Sequence, residues 1–595
     1  MRQKFFRPMM SLALLTALAI TSQPAAAAEL VPGERLLPPN VLFYLSVPSV
    51  PKLKQQCGKS LLGQLRKDEE LADFWSDVEA QLDRFSSKVE SETGVKLREL
   101  LAVPSGQVTA AFVQPFGGEP GPVGILEFGE NEESVNKLLD KAAESLADQG
   151  AERTVQDFED TQIVVYTMGG DDVDVDLEGD QEEGNESDEQ EERRQFTYFV
   201  KDSSIVFSSN VTILEAVLAR WDGEHGQTFA DNEVFNYIIK RCREEDADSL
   251  VTWYVDPIGL LRTVMTSAGQ GNMQVQMILG FLPALGIGNL KAIGGGLDMA
   301  TEQYDSVSRA MMYIESPTSG LLNVFQFPAV QQAPPEWISA DVASYFQANW
   351  AVGDAYSAVE MLVDTFKGPG SFAAMIDQMA NAEGGPNIHL KKDLIDQLTG
   401  EIHMVSDVDE ENPLGSGRLL IAWDTKDADD MKALLASVAK VPGFPGTSRE
   451  FRGETVYELP LGAGGLGNPN ATMALSVVQG HLAITSDVTM IEQVIRADTD
   501  QPALVDSEAY RAIAAQFPEN TSMVAFQKQD TQVQAAYEML RSGQTGIEAF
   551  VEGLDFSKLP PFETIKKYLA PTGSYASPDE YGAIFVSFTL KKGGS

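Results

Sequence analysis

The chain has 595 residues, with 44 Lys and Arg against 88 Asp and Glu, and a formal net charge of −44. This surplus of acid excludes nucleic acid and anionic lipid surfaces as partners, because neutralising phosphates takes clustered Lys and Arg. A basic protein or a cation fits it, as does a purely solubilising role, and the length exceeds what one core normally organises, so two or more domains are expected.

The first element in chain order is a leader. Arg2, Lys4 and Arg7 precede an apolar stretch at 9–20 and a run of alanines at 25–28, the three parts of a cleavable secretory signal. The apolar stretch is shorter than the roughly 20 residues needed to cross a bilayer. Cleavage is expected between Ala28 and Glu29, which makes this an exported protein of the periplasm or the extracellular space. The best later apolar run, 277–288, is interrupted by Pro283 and Gly286, so the mature chain is expected to carry no transmembrane segment. Cys57 and Cys242 are the only cysteines. No disulfide framework holds the fold; export allows one bridge, but two unpaired thiols are expected.

From residue 37 onward the sequence repeats itself. Residues 37–44 align with 338–345 at an offset of 301, and 95–108 with 389–402 at 294, bringing Gly106 onto Gly400. Phe158 and Ile163-Val164-Val165-Tyr166 correspond to Phe451 and Val456-Tyr457 at 293. Residues 209–218 and 486–495 share five of ten identities at 277, and Asp231, Glu233, Phe235 and Ile238 match Asp506, Glu508, Tyr510 and Ile513 at 275. Collinear matches with slowly drifting offsets predict a tandem duplication: residues 29–331 form the first copy and 332–595 the second, joined through a Pro- and Gln-containing linker.

Within a copy, 108–113 and 124–128 read as strands rich in β-branched and aromatic residues. Residues 134–146 place Val135, Leu138, Leu139 and Ala142 at helical spacing, and 431–438 do the same. Residues 196–208 predict a hairpin turning near 201–204, mirrored by 473–485 around Gln479-Gly480. Helices returning after paired strands predict an α+β fold, a duplicated and mostly antiparallel sheet layered with helices.

An acidic segment at 171–192, with 13 acids and no base, falls where the repeat offset drops from 293 to 277. It is therefore an insertion in a strand-connecting loop of the first copy. Such a block is expected to be solvated and disordered. A sharper alternative is calcium: Asp172, Asp174, Asp176, Glu178, Asp180 and Glu183 occupy positions 1, 3, 5, 7, 9 and 12 of a calcium loop. Leu177 stands where the loop's turn needs glycine, so apart from this candidate no cofactor is expected.

The catalytic motifs the sequence approaches are each incomplete. Gly58-Lys59-Ser60 lacks the first glycine of a phosphate-binding loop, since position 53 is Leu53. Gly462, Gly464 and Gly467 spell a dinucleotide fingerprint, but a strand follows where pyrophosphate binding needs a helix. Ser49 and Lys52 have Ser-x-x-Lys spacing, with Pro51 disturbing the turn that aligns them and no companion motifs. His225, His389, His403 and His481 form no metal pattern and read as surface or structural residues. Acid pairs such as Glu127 with Asp140 cannot be assigned a role from sequence order when 88 acids are present.

Residues 37–45, the paired helix entries at 228–235 and 503–510, the strand at 249–255 and the segments 286–295 and 559–573 together resemble a bacterial domain-of-unknown-function family of exported proteins. In that family a Leu-Pro-Ala-Asp-like start and a Ser-Leu-Ala-Asp-like helix entry recur. The resemblance covers most of the mature chain and implies an exported bacterial protein, with no catalytic residues to transfer. The expected function is accordingly a non-catalytic, exported binding or scaffold protein. An envelope hydrolase or other enzyme with an unfamiliar site, and a cation- or basic-partner contact through the acidic loop, remain as alternatives.

Overall fold

Apolar residues recurring at every second position fold this chain into antiparallel ladders, whose register fixes which side chains meet. In the computed structural model the described residues are 31–93, 97–168, 194–223, 226–243, 248–268, 279–381, 388–408, 417–460, 472–496, 502–543 and 555–592. They divide into two compact units. The first comprises the described residues up to Gly63, then Trp75–Thr263 and Ala292–Asp298; the second comprises Gln64–Phe74, Val264–Lys291 and the residues from Met299 onward.

The first unit holds β1 (Val41–Val47), β2 (Val108–Val113), β3 (Gly121–Glu127), β4 (Glu152–Phe158), β5 (Thr161–Met168), β6 (Arg194–Lys201), β7 (Ser204–Ser208), β8 (Val251–Val255) and most of β9 (Leu290–Met299). Every pairing is antiparallel and the spatial order is 4-5-6-7-3-2-1-8-9.

The second unit holds β10 (Tyr304–Ile314), β11 (Ser344–Asn349), β12 (Leu398–Val408), β13 (Gly417–Thr425), β14 (Thr447–Phe451), β15 (Glu454–Pro460), β16 (Thr472–Val478), β17 (His481–Thr485), β18 (Met523–Gln527), β19 (Thr572–Asp579) and β20 (Gly582–Leu590). Its order is 14-15-16-17-13-12-11-18-19-20, again antiparallel throughout. Strand for strand this repeats the first unit, so the duplicated α+β fold read from sequence is the fold of the chain. On the far side of β20 lies β10, paired from Tyr304 to Tyr313.

Local chemistry repeats as well. The hairpins turn through left-handed residues at Asp202 and Ser203 (φ 47° and 57°) and at Gln479 and Gly480 (52° and 82°), the type I′ geometry that matches strand twist. Helix α1 (Glu132–Asp148) carries the spacing seen at 134–146. Helix α2 (Val211–Leu218) starts on Asn210, whose side chain accepts from the Thr212 amide; α3 (Glu233–Cys242) starts on Asn232, which accepts from the Phe235 amide. In the second unit follow α4 (Ala428–Val438), α5 (Val488–Arg496) and α6 (Glu508–Ala514). Asp487 accepts from the Thr489 amide and Ser507 from the Tyr510 amide, the same caps at the same offsets.

Each core is centred on a tyrosine of the first strand. Tyr44, 1% exposed, packs at ring distances of 5.3 and 5.5 Å on Phe229 and Phe235. Tyr345, also 1% exposed, sits in a cluster with Ile491, Leu504, Tyr510 and Phe526. Cys242 is buried and Cys57 half-buried, and neither is in a disulfide.

The segment Gln64–Phe74 is fastened within the second unit by polar contacts. Asp68 accepts from Lys567 Nζ and Tyr568 OH, both at 2.6 Å, and Thr564 bonds Glu70. The hydrogen bond from Lys567 is the largest cause holding the Asp68 carboxyl down to about 2.

Leu214 and Ile491 occupy equivalent helix positions and are both fully buried. Leu214→Ala and Ile491→Ala are each expected to cost ~2–5 kcal/mol in denaturant unfolding of the unit that holds them. Losses below ~1 kcal/mol at either position would show that the two cores are not packed alike.

Candidate functional site

Four ladder positions, equivalent between the units, bring polar side chains together beneath the helices. In the first unit Ser46 on β1 faces Thr109 on β2, and Glu127 on β3 faces Ser204 on β7. In the second, Gln347 on β11 faces His403 on β12, and Asp424 on β13 faces His481 on β17. The scaffold is shared, but the side chains differ in size and charge.

In the second unit the positions are filled. Tyr345 OH donates to Gln347 Oε1 at 2.9 Å and meets His403 Nδ1 at 2.9 Å, while Gln347 Nε2 donates to Glu401 Oε1 at 2.7 Å. His403 Nε2 lies 3.3 Å from the same carboxylate oxygen, within ion-pair reach but too poorly aligned for a hydrogen bond. The His403 and His481 rings are 5.2 Å apart, and Trp337 closes on both at 5.9 and 5.3 Å. His481 Nδ1 bonds the Gln479 carbonyl at 2.7 Å, and its Nε2 is 3.9 Å from Asp424 Oδ1. The His403 imidazole beside Glu401 holds that carboxyl below its usual range, while burial pushes His481 down and Tyr345 up. A Tyr–His–Glu array could move a proton, but His403 is 0% exposed. Its hydrogen bond with Tyr345, and the bonds of Tyr345 to Gln347 and of Gln347 to Glu401, satisfy these polar atoms inside the unit.

In the first unit the hydroxyls of Thr109 and Ser204 replace both imidazoles, and a cavity of about 140 Å³ opens, lined by Val31, Leu36, Gln107, Ile125, Glu127, Asp202, Ser204, Trp221 and Asp222. Glu127 is 7% exposed and its Oε2 accepts from the Gln107 amide at 2.8 Å. A side chain at Gly106 would overlap that carboxylate, so the glycine shared with position 400 is required by close approach. Trp221 Nε1 donates to Asp202 Oδ2 at 2.7 Å, which fixes the turn carboxylate at the cavity edge. Asp202 and Asp222 are exposed at the rim. No Lys, Arg or His lines the space.

A wider opening of about 300 Å³ lies over β10, β11 and β18–β20 in the second unit, lined by Phe346, Met523, Tyr575 and Phe585 among apolar and serine side chains. It gathers no charge and no convergent polar set.

The calcium-loop candidates Asp172, Asp174, Asp176, Glu178, Asp180 and Glu183, the cleavage pair Ala28 and Glu29, and His225 all lie outside the described residues. Among the described residues no group of three or more His, Cys, Asp or Glu is placed to hold a metal ion, and no helix is long and apolar enough to cross a membrane. Ser49 caps a helix, accepting from the Lys52 amide at 3.3 Å, with Pro51 in its first turn. His389 is exposed, and Asp140 lies on the exposed side of α1, away from Glu127's cavity. The sequence reading did not single out the Glu127 cavity. The available signal was that His403 and His481 align, at offsets 294 and 277, with the small hydroxyl residues Thr109 and Ser204.

Family-model comparison of the chain finds no match, and neither a curated protein nor a solved structure is significantly similar to it.

The pH dependence of the second unit follows from the histidine cluster. The folded value of His481 lies below its ordinary 6.5, so the unfolded imidazole takes up protons first as pH falls. Its contribution is constant above pH 6.5 and declines from there down to the lowered folded value. Glu401, held below its ordinary 4.5, adds stability present above 4.5 and lost as pH falls through its folded value. Thermal melts are expected to show a plateau above neutrality and a decline below pH 6.5, with the upper part of that decline flattened in His481→Gln. An identical decline in the variant would place the titration elsewhere.

Proposed function

We propose that this is an exported, non-catalytic binding protein in which one copy of a duplicated fold carries a ligand cavity and the other serves as a filled scaffold. The observation that carries this reading is the contrast at one set of ladder positions. The second unit closes it with Gln347, His403 and His481, while the first leaves a cavity with the buried carboxylate of Glu127 directed into it. Small concave sites with a few fixed polar groups are the usual form of ligand pockets. The leader at 1–28 and the resemblance to an exported bacterial family support the envelope as its place of work.

Two measurements test the reading. Mass spectrometry of the protein purified from the producing cell is expected to find Glu29 at the N-terminus, and retention of residues 9–20 would overturn export. Incubation with small-molecule extract of the envelope, followed by a thermal shift assay and mass analysis of what is bound, is expected to recover a ligand chemically unchanged. Conversion of that ligand, abolished in Glu127→Gln, would replace the binding reading with an enzymatic one.

A further inference from the structure

We infer that the cavity of the first unit binds the ammonium end of a primary alkylamine, the chemistry shared by a lysine side chain and a free diamine. This rests on the binding reading above and names the ligand class for its site.

The argument starts with Glu127. The residue is 7% exposed, its Oε2 accepts the backbone N–H of Gln107, and no Lys, Arg or His lines the cavity it faces. A carboxylate taken out of water needs a compensating donor or positive charge. In the internal repeat the place of Glu127 is held by Asp424, which has the imidazole of His481 across the ladder with Nε2 at 3.9 Å. The first unit has Ser204 at the position of His481, and Ser204 borders the cavity. What one copy supplies from its own chain, the other takes from outside.

The lining decides what kind of cation fits. Asp202 and Asp222 at the rim extend the negative field outward, and a net charge of −44 concentrates cations around the protein. Val31, Leu36, Ile125 and the Trp221 ring give the cavity apolar walls, which suit an alkyl stem and not a hydrated metal ion. A cavity needs about 10–15 Å³ open to a water's centre to hold one water, so about 140 Å³ has room for roughly ten non-hydrogen atoms, enough for a short alkylammonium stem. The ammonium would reach Glu127, with the hydroxyl of Ser204 and the side-chain carbonyl of Gln107 as further acceptors. No carboxylate oxygen need leave its present partner.

The test is calorimetric titration of the protein purified from the producing cell with 1,5-diaminopentane and with Nα-acetyl-lysine amide, and with 1-pentanol as the uncharged control. Saturable binding of one equivalent is expected for the amines and none for the alcohol, with a Trp fluorescence change that disappears in Trp221→Phe. In Glu127→Gln, which keeps an acceptor for the Gln107 amide, affinity is expected to fall roughly tenfold or more, the order of one lost charge-assisted hydrogen bond. His481→Gln in the other unit should leave binding unchanged. Diamine binding alone assigns a free amine as ligand; binding of the lysine amide alone assigns a lysine side chain. Amine affinity equal in wild type and Glu127→Gln, equal binding of pentanol, or calcium binding in place of the amines would overturn the inference. If an envelope molecule without an amino group is retained unchanged through Glu127, the binding reading stands and the ligand class falls.

Discussion

A single tyrosine at the centre of each sheet sets what the rest of the unit can be. Tyr44 and Tyr345 point inward from β1 and β11 because their strands alternate, and a slip of one residue would turn each to the opposite face. With the ring inward, the residue two places on, Ser46 or Gln347, also points inward, and so do its ladder partners Thr109 and His403. The apolar faces of helices α2, α3, α5 and α6 bury their side chains on this side, so whatever polar atoms lie there must be satisfied away from water. The two copies meet that requirement differently. The second fills the space with rings and amides. The first keeps small hydroxyls and a buried carboxylate, and with them a void.

The contrast also separates two uses of acidic side chains. Among the described residues the acids other than Glu127 are at least partly exposed, where each group is solvated and its interactions are screened within about 10 Å. Glu127 is held where water is scarce by a glycine that admits it and an amide that binds one oxygen. Glu401 in the second unit is positioned by Gln347 and His403 within the chain itself. Net charge alone describes neither arrangement.

The duplication was legible because its strongest marks are local. Residues 209–218 and 486–495 include a strand end, a capping side chain and the first turns of a helix, each specified within a few residues. The hairpins were legible for the same reason, since type I′ turns and alternating strands are short-range features. The cavity was not. Its residues come from the segments before β1 and β2, from β3, from the β6–β7 hairpin and from the turn after α2, separated by up to roughly 190 positions and brought together only by the fold. Glu127 stands in the sequence as one of 88 acids; burial distinguishes it, and burial belongs to the fold. His403 and His481 were read as surface or structural residues, and both prove to be interior.

The second unit draws on residues from the first copy, Gln64–Phe74 at one place and β10 at another. A polypeptide emerging N-terminus first therefore presents β10 long before β20 has been made, and the strand's hydrogen-bonding edge stands open in the interval. Closing so long a loop costs little more entropy than closing a short one, but it delays folding, and an exposed edge invites pairing with other chains. Topology of this kind ties closure of the second unit to completion of the whole chain, and it makes the nine residues of β20 as decisive for assembly as any in the interior.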